Sequence, residues 1–299
     1  MKIRNIALAS AAVLFCTASI SATTIAHTWV SGNGSNSNTC TFASPCATFT
    51  GALAKTTAGG IITAMDAGDF GPVTISKSVT IDGANMGSIG FGGQTNGIYV
   101  DGSSSINVVI HNLTLDGQGS GEEGVSIINA ANVTIDNCKI EGFTDTGINL
   151  FPSGAENVVI TNTVIDGANV ASGGVMTDET AAAIATVALD HVTIKGMTDA
   201  AVTSFNGNMQ ITNSVLTQNQ VGVEAQTGAV ISVANSAITS NSQGVCSCSG
   251  SKIRLDTNDI YDNPTAIADC GGQIKTSGTN RTSGAITATS AEVSHSVLF

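Results

Sequence analysis

The stretch NVVIHNLTLDG at residues 107–117 returns as NVTIDNCKIEG at 132–142 and as NVVITNTVIDG at 157–167. Looser copies follow as ALDHVTIKG (188–196), MQITNSVLTQN (209–219), VISVANSAITSN (230–241) and KIRLDTNDIYDN (252–263). Aligned on one column they give Asn112, Asn137, Asn162, His191, Asn213, Asn235 and Thr257, with steps of 25, 25, 29, 22, 22 and 22 residues. A period in this range over most of a chain denotes a solenoid in which each repeat is one coil.

The kind of coil follows from local chemistry. Within each copy the apolar residues alternate, as in Val133, Ile135 and then Ile140, which is the period of a strand with one buried face. Val, Ile and Thr dominate, and Gly or Asn closes the second short strand (Gly83, Gly117, Gly142, Gly167, Gly196, Asn219, Asn241, Asn263). Gly and Asn tolerate left-handed backbone, so they mark corners. A coil of about 22 residues holds three short strands and three turns. The reading is an all-β, single-domain parallel β-helix of eight or nine coils. The recurring column Asn112, Asn137, Asn162, His191, Asn213 and Asn235 is read as a structural ladder, with amides passing hydrogen bonds from coil to coil.

The ends divide the chain further. Residues 1–22 read as a secretory signal: Lys2 and Arg4, an apolar run from Ile6 to Phe15, then small residues ending at Ala22, with a second cleavage point after Ala26. Residues 23–60 form an N-terminal cap with a short helix, for which Ser44 is the expected N-cap, Pro45 the first turn and Gly59-Gly60 the stop. In that helix Phe49, Ala52 and Leu53 present the apolar face. Residues 61–270 form the β-helix, and 271–299, rich in Ser, Thr and Gly, form a C-terminal cap or flexible tail. The expected location is secreted, periplasmic or cell-surface, with no membrane span.

These segments resemble a known group. The repeats over roughly 60–270, together with TWVSGNGSN, SPCATFTGALAKTTAGG and GPVTISKSVTIDG near the start, resemble the right-handed parallel β-helix of the pectate-lyase-like superfamily, among secreted bacterial members of unassigned function. That resemblance implies the right-handed coil and a site on the outward face of one parallel sheet. It does not select one activity, because the fold carries lyases, hydrolases, epimerases and adhesins.

Charge narrows the partners. The net charge of −12 falls to about −14 when Lys2 and Arg4 leave with the signal. So few cations exclude phosphate-neutralising nucleic-acid binding and disfavour polyanions unless a cation bridges them. The remaining partners are a polysaccharide or a cell-envelope component; nothing in the sequence sets the oligomeric state.

Six of the seven Cys lie beyond the signal. Cys40 and Cys46 flank a short loop and are expected to pair. Cys248 and Cys270, one 22-residue coil apart, are expected to staple neighbouring coils, with Cys246 a competitor for Cys270. Cys138 falls in an apolar column and reads as a buried thiol.

Candidate chemistry lies on the outward columns. One reads Tyr99, Ser126, Asn149, Thr203, Glu224, Cys246 and Ala268; the next reads Asp101, Ile128, Phe151, Phe205, Gln226, Cys248 and Cys270. Neither holds a Lys, Arg or His to serve as the base of an elimination. A hydrolytic site would draw on Asp178, Glu179, Glu224 and Asp101, since such sites need close carboxylates. Phe151 and Phe205 are read either as part of a groove floor or, the favoured alternative, as covered by the long loop at 168–185. A separate acidic column, Asp82, Asp116, Glu141 and Asp166, would suit Ca2+ as a hard-cation ligand set, or else ordinary turns with Lys195 in compensation. Glu122-Glu123 read as a solvated pair in a Gly-rich turn. The leading functional reading is a non-catalytic rod that binds glycan or envelope; the other is a polysaccharide-active lyase, hydrolase or epimerase.

Overall fold

The computed structural model describes residues 25–177 and 184–287. Residues 1–24, which include the expected signal, residues 178–183 with Asp178 and Glu179, and residues 288–299 lie outside the described residues. The rest winds into about ten coils whose strands build three parallel sheets, one of eleven strands and two of ten. Every sheet orders its strands in chain sequence along the coil axis. The solenoid is longer than eight or nine coils, because both ends join it.

The repeat sets the core. In the first sheet Val108, Val133, Val158, Val187, Met209, Ile231 and Ile253 stack in register, and so do Ile110, Ile135, Ile160, Leu189, Ile211, Val233 and Leu255. In the third sheet Ile89, Leu115, Ile140, Ile165, Ile194, Leu216, Ile238 and Ile260 do the same. All of these are buried in one continuous apolar column. Emptying one such position to Ala costs about 2–5 kcal/mol, because the coils above and below cannot collapse into the gap.

The corner between the first and third sheets is where the repeating Asn column lies. Asn112, Asn137, Asn162, His191, Asn213, Asn235 and Thr257 all have φ between 49° and 57°. The column is thus a left-handed corner, as its composition predicts, but it is largely solvent-exposed. Asn137 Nδ2 donates to Asn112 Oδ1 at 2.8 Å and to Asn85 Oδ1 at 2.9 Å. Further on the amides turn to carboxylates instead: Asn162 Nδ2 to Asp136 Oδ1 at 2.8 Å and Asn213 Nδ2 to Asp190 Oδ1 at 2.7 Å.

The buried ladders lie elsewhere. Asn219, Asn241 and Asn263 are buried after the third-sheet strands, and their left-handed neighbours are Gln218, Ser240 and Asp262. Asn219 donates both its backbone N–H (2.9 Å) and its Nδ2 (3.0 Å) to Asn241 Oδ1. Asn241 repeats this to Asn263 Oδ1 at 2.9 and 3.1 Å. A second ladder carries Ser236 N–H to Asn258 Oδ1 and Asn258 N–H to Asn280 Oδ1. Each ladder satisfies turn donors that the coil geometry takes out of water.

Both ends differ in detail from the sequence reading. At the N-terminus, the strand Ile25–Val30 pairs in parallel with Thr56–Ala64 and begins the first sheet. The free edge of Ile25–Val30 is covered by the loop closed by the Cys40–Cys46 disulfide, through Trp29 N–H to Cys40 O and Cys46 N–H to Trp29 O. Helix α1 spans Phe49–Leu53, and its N-cap is Thr48, whose Oγ1 accepts from Gly51 N–H at 3.0 Å. Ser44 and Pro45 belong to the edge-covering loop, and Gly59-Gly60 lie inside a strand. The apolar face is as expected: Phe49, Ala52 and Leu53 are buried. Lys77 Nζ donates to Leu53 O and Thr56 O at 2.7 and 2.6 Å, closing the helix end.

At the C-terminus one more coil continues past residue 270 through Gln273–Thr276, Arg281–Thr282 and Ala285–Ile286. The 22-residue step persists in Asn258 to Asn280, but short polar strands hide it from a hydropathy reading.

Candidate functional site

Register assigns the outward face of the second sheet. Tyr99, Ser126, Asn149, Met176, Thr203, Glu224, Cys246 and Ala268 occupy one column, with Met176 added by the long coil. Pointing away from the sheet does not mean facing water. Ser126, Asn149, Thr203, Cys246 and Ala268 are buried, whereas Tyr99, Met176 and Glu224 are partly exposed.

Glu123 explains part of this burial. Glu122 is exposed, but Glu123 is only 6% exposed and accepts Asn149 Nδ2 at 2.6 Å and Asn96 Nδ2 at 3.1 Å. Burial pushes its carboxyl above the ordinary range, against the bonds from Asn149 and Ser126. The Oδ1 atoms of Asn96 and Asn149 are buried with no partner. A Glu-Glu pair in a Gly-rich turn carries no sequence signal of this, because its cover comes from the coils on either side.

The next column holds the accessible features. Phe151 is partly exposed and Phe205 is 36% exposed, so neither is sealed in the way the sequence suggested. One coil beyond Phe205, Gln226 Nε2 donates to Glu224 Oε1 at 2.7 Å. Burial and the nearby Asp199 raise the Glu224 carboxyl, opposed by the Gln226 bond.

The expected acids do not assemble among the described residues. Asp101 and Glu224 sit five strands apart in the second sheet, about 24 Å at the interstrand spacing of ~4.8 Å. Asp178 and Glu179, the other members, fall outside the described residues.

The acidic column needs one correction. Asp116, Glu141, Asp166 and Lys195 do stack in the third sheet. Asp82 does not belong with them: it ends a first-sheet strand and pairs with His111. VTIDG at 79–83 resembles the second half of the repeat in letters but occupies the place of its first half. The stacked carboxylates have protein partners. Lys195 Nζ is 2.9 Å from Asp166 Oδ2, Lys139 Nζ is 2.7 Å from Glu141 Oε1, and Asp116 Oδ1 accepts Gln118 N–H at 2.8 Å. These contacts offset the like-charge repulsion that suggested Ca2+.

Sulfur is distributed in three ways. Cys40 and Cys46 are bonded, with Cα atoms 4.7 Å apart. Cys138 is a buried thiol whose pKa burial pushes up to about 12. Cys248 and Cys270 are in-register neighbours as expected, but they are not bonded to each other. Cys246 Sγ stands 3.1 Å from Cys270 Sγ, so Cys246 competes with Cys248 for that partner.

Comparison with known proteins agrees with this architecture. Residues 59–186 match a family described as "Right handed beta helix region". Among solved structures, pectate lyase Pel9A superposes with a TM-score of 0.66 at 15% identity, covering 89% of this chain and 78% of that one. The complex of XylC with xylose gives 0.58 at 8% identity, covering 86% and 68%. An alginate lyase from Paenibacillus sp. str. FPU-7 gives 0.55 at 15% identity, covering 88% and 96%. No curated protein sequence matches the chain. At these identities the likeness is one of fold.

Proposed function

On a right-handed parallel β-helix of the pectate-lyase-like superfamily, we propose that this chain is an exported rod that binds an extended polysaccharide along the outward face of its second sheet. The observation that carries the reading is the pair Phe151 and Phe205. They stand two coils apart in one outward column, about 10 Å along the axis, with rings partly open to solvent. Rings at that spacing offer stacking faces to sugar rings of an extended chain, and Glu224 with Gln226 supplies directional hydrogen bonds beside them. The similar solved structures include a pectate lyase, an alginate lyase and a xylose complex, which supports a glycan as the ligand class. The Cys40–Cys46 disulfide supports an oxidising, exported location. The acidic chain favours a neutral glycan, or an anionic one bridged by a cation such as Ca2+.

One observation favours a second reading, a polysaccharide-active enzyme: burial and the nearby Asp199 make the Glu224 carboxyl hold its proton more tightly than an ordinary carboxylate, the direction a general acid needs. A single panel separates the two. The purified chain is run against neutral and acidic polysaccharides, with and without Ca2+, in affinity gels and in assays for new reducing ends and unsaturated products. The expected result is retention by one glycan without product, weakened about tenfold by Phe205→Ala. Product that Glu224→Gln abolishes while retention persists would establish the enzyme. Neither retention nor product on any glycan would sink both readings.

A further inference from the structure

Both outward columns of the second sheet carry sulfur near their C-terminal end. Cys246 and Cys248 leave the strand Gln243–Cys248 on one side, and Cys270 stands beside Cys248 on the next strand. The three Sγ atoms all lie within 4.8 Å of one another, and all three thiols are unbonded. Among the described residues this is the one group of three or more Cys, His, Asp or Glu side chains whose ligand atoms converge in this way.

Strand geometry holds the in-register pair Cys248 and Cys270 short of bonding distance, while Cys246, out of register with Cys270, has its Sγ 3.1 Å from that of Cys270. Residues in register on parallel strands keep their Cβ atoms near the interstrand spacing of about 4.8 Å. A disulfide prefers Cβ atoms about 3.8 Å apart and sulfurs at about 2.05 Å. Three thiolates each about 2.3 Å from a shared ion stand roughly 3.8–4.0 Å from one another, whether tetrahedral or trigonal. The sulfurs therefore span the separations that a common ion requires with only a small adjustment.

The surroundings suit the same ligand. Cys246 is buried against Ala200, Val221 and Ala268, which give the group an apolar wall. Cys270 is exposed and gives an ion a way in. Glu224 is in register with Cys246 on the preceding strand and brings a carboxylate to the edge of the group.

We propose that Cys246, Cys248 and Cys270 form a three-thiolate site for one thiophilic cation, Zn2+ or Cu+, with Glu224 beside its open fourth position. On binding, each thiol releases its proton to solvent and its sulfur donates an electron pair to the ion, so no oxidant is needed. The ion ties the second-sheet strands Gln243–Cys248 and Thr265–Cys270, next to the end of that sheet, at the position where the sequence suggested a disulfide.

The test uses the full chain, prepared reduced and anaerobic, and titrated with Zn2+ and separately with Cd2+ as a spectroscopic probe. One ion per chain is expected, with protection of three thiols from alkylation and a thiolate-to-Cd2+ charge-transfer absorption. Cys246→Ser, Cys248→Ser and Cys270→Ser should each weaken binding by at least about tenfold, while Cys138→Ser leaves it unchanged. Circular dichroism checks that each variant is folded. Alkylating the exposed Cys270 in the unmodified chain should abolish the absorption by an independent route. Absence of the absorption at saturating Cd2+, or affinity that survives these changes, would overturn the proposal. So would a disulfide from Cys270 to Cys246 or Cys248 that forms in air despite bound Zn2+.

Discussion

Glu156 is 1% exposed, and one carboxyl oxygen accepts Ala130 N–H at 3.1 Å while the other is buried without a partner. Burial raises its pKa to about 7 from an ordinary value of 4.5. The folded chain thus holds a proton there more tightly than the unfolded chain. The associated stability is fully present below about pH 4.5 and is lost as pH rises through 7. Thermal unfolding between pH 5 and 8 should show this decline, and Glu156→Gln should flatten it; an unchanged slope would refute the assignment. Asp190 has the opposite sign. Bonds from Asn213, Thr212 and His191 lower its pKa to about 2 from 3.8, so its contribution is present above 3.8 and lost as pH falls toward 2. Asp190→Asn should therefore reduce acid sensitivity in that window, as followed by circular dichroism during acid titration. Neither residue differs in its sequence surroundings from an ordinary surface acid, which is why only burial and partners reveal them.

The two kinds of Asn in the coil behave as different elements. Asn137 sits exposed at φ 49°, a conformation that Gly adopts freely and a β-branched residue does not. Asn137→Gly should change stability by less than about 1 kcal/mol, and Asn137→Val should cost about 1–2 kcal/mol through backbone strain. Asn241 is buried, accepts two donors from Asn219 and donates to Asn263 Oδ1 and Leu216 O. Asn241→Ala strands buried partners on both adjacent coils and should cost about 2–4 kcal/mol. Urea denaturation of the three variants tests the contrast, and equal losses at both positions would remove it. The repeat column was plain in the sequence, but its letters did not show which Asn is covered. The left-handed corner and the buried ladder both favour Asn, for different reasons: one needs a tolerant backbone, the other an amide that both donates and accepts.

At the scale of the molecule, each coil packs chiefly on its two neighbours, so stability is close to a sum of coil and interface terms. Hydrogen exchange should be slowest in the central strands around Ile135 and Ile160. It should be fastest in the last coil, where Arg281–Thr282 and Ala285–Ile286 are short and exposed. Uniform protection from end to end would contradict this. The sequence by itself determined the parallel β-helix and the inward columns. An interior residue must recur at the coil period, and that recurrence is one-dimensional information. Tertiary structure alone decided that Asp82 leaves the acidic column and that Glu123 and Glu156 are covered while Phe205 is not. Those outcomes depend on coil lengths of 25, 29 and 22 residues and on cover from adjacent coils. A period fixes which residues line up; what lies over them is set only when the coils are packed in three dimensions.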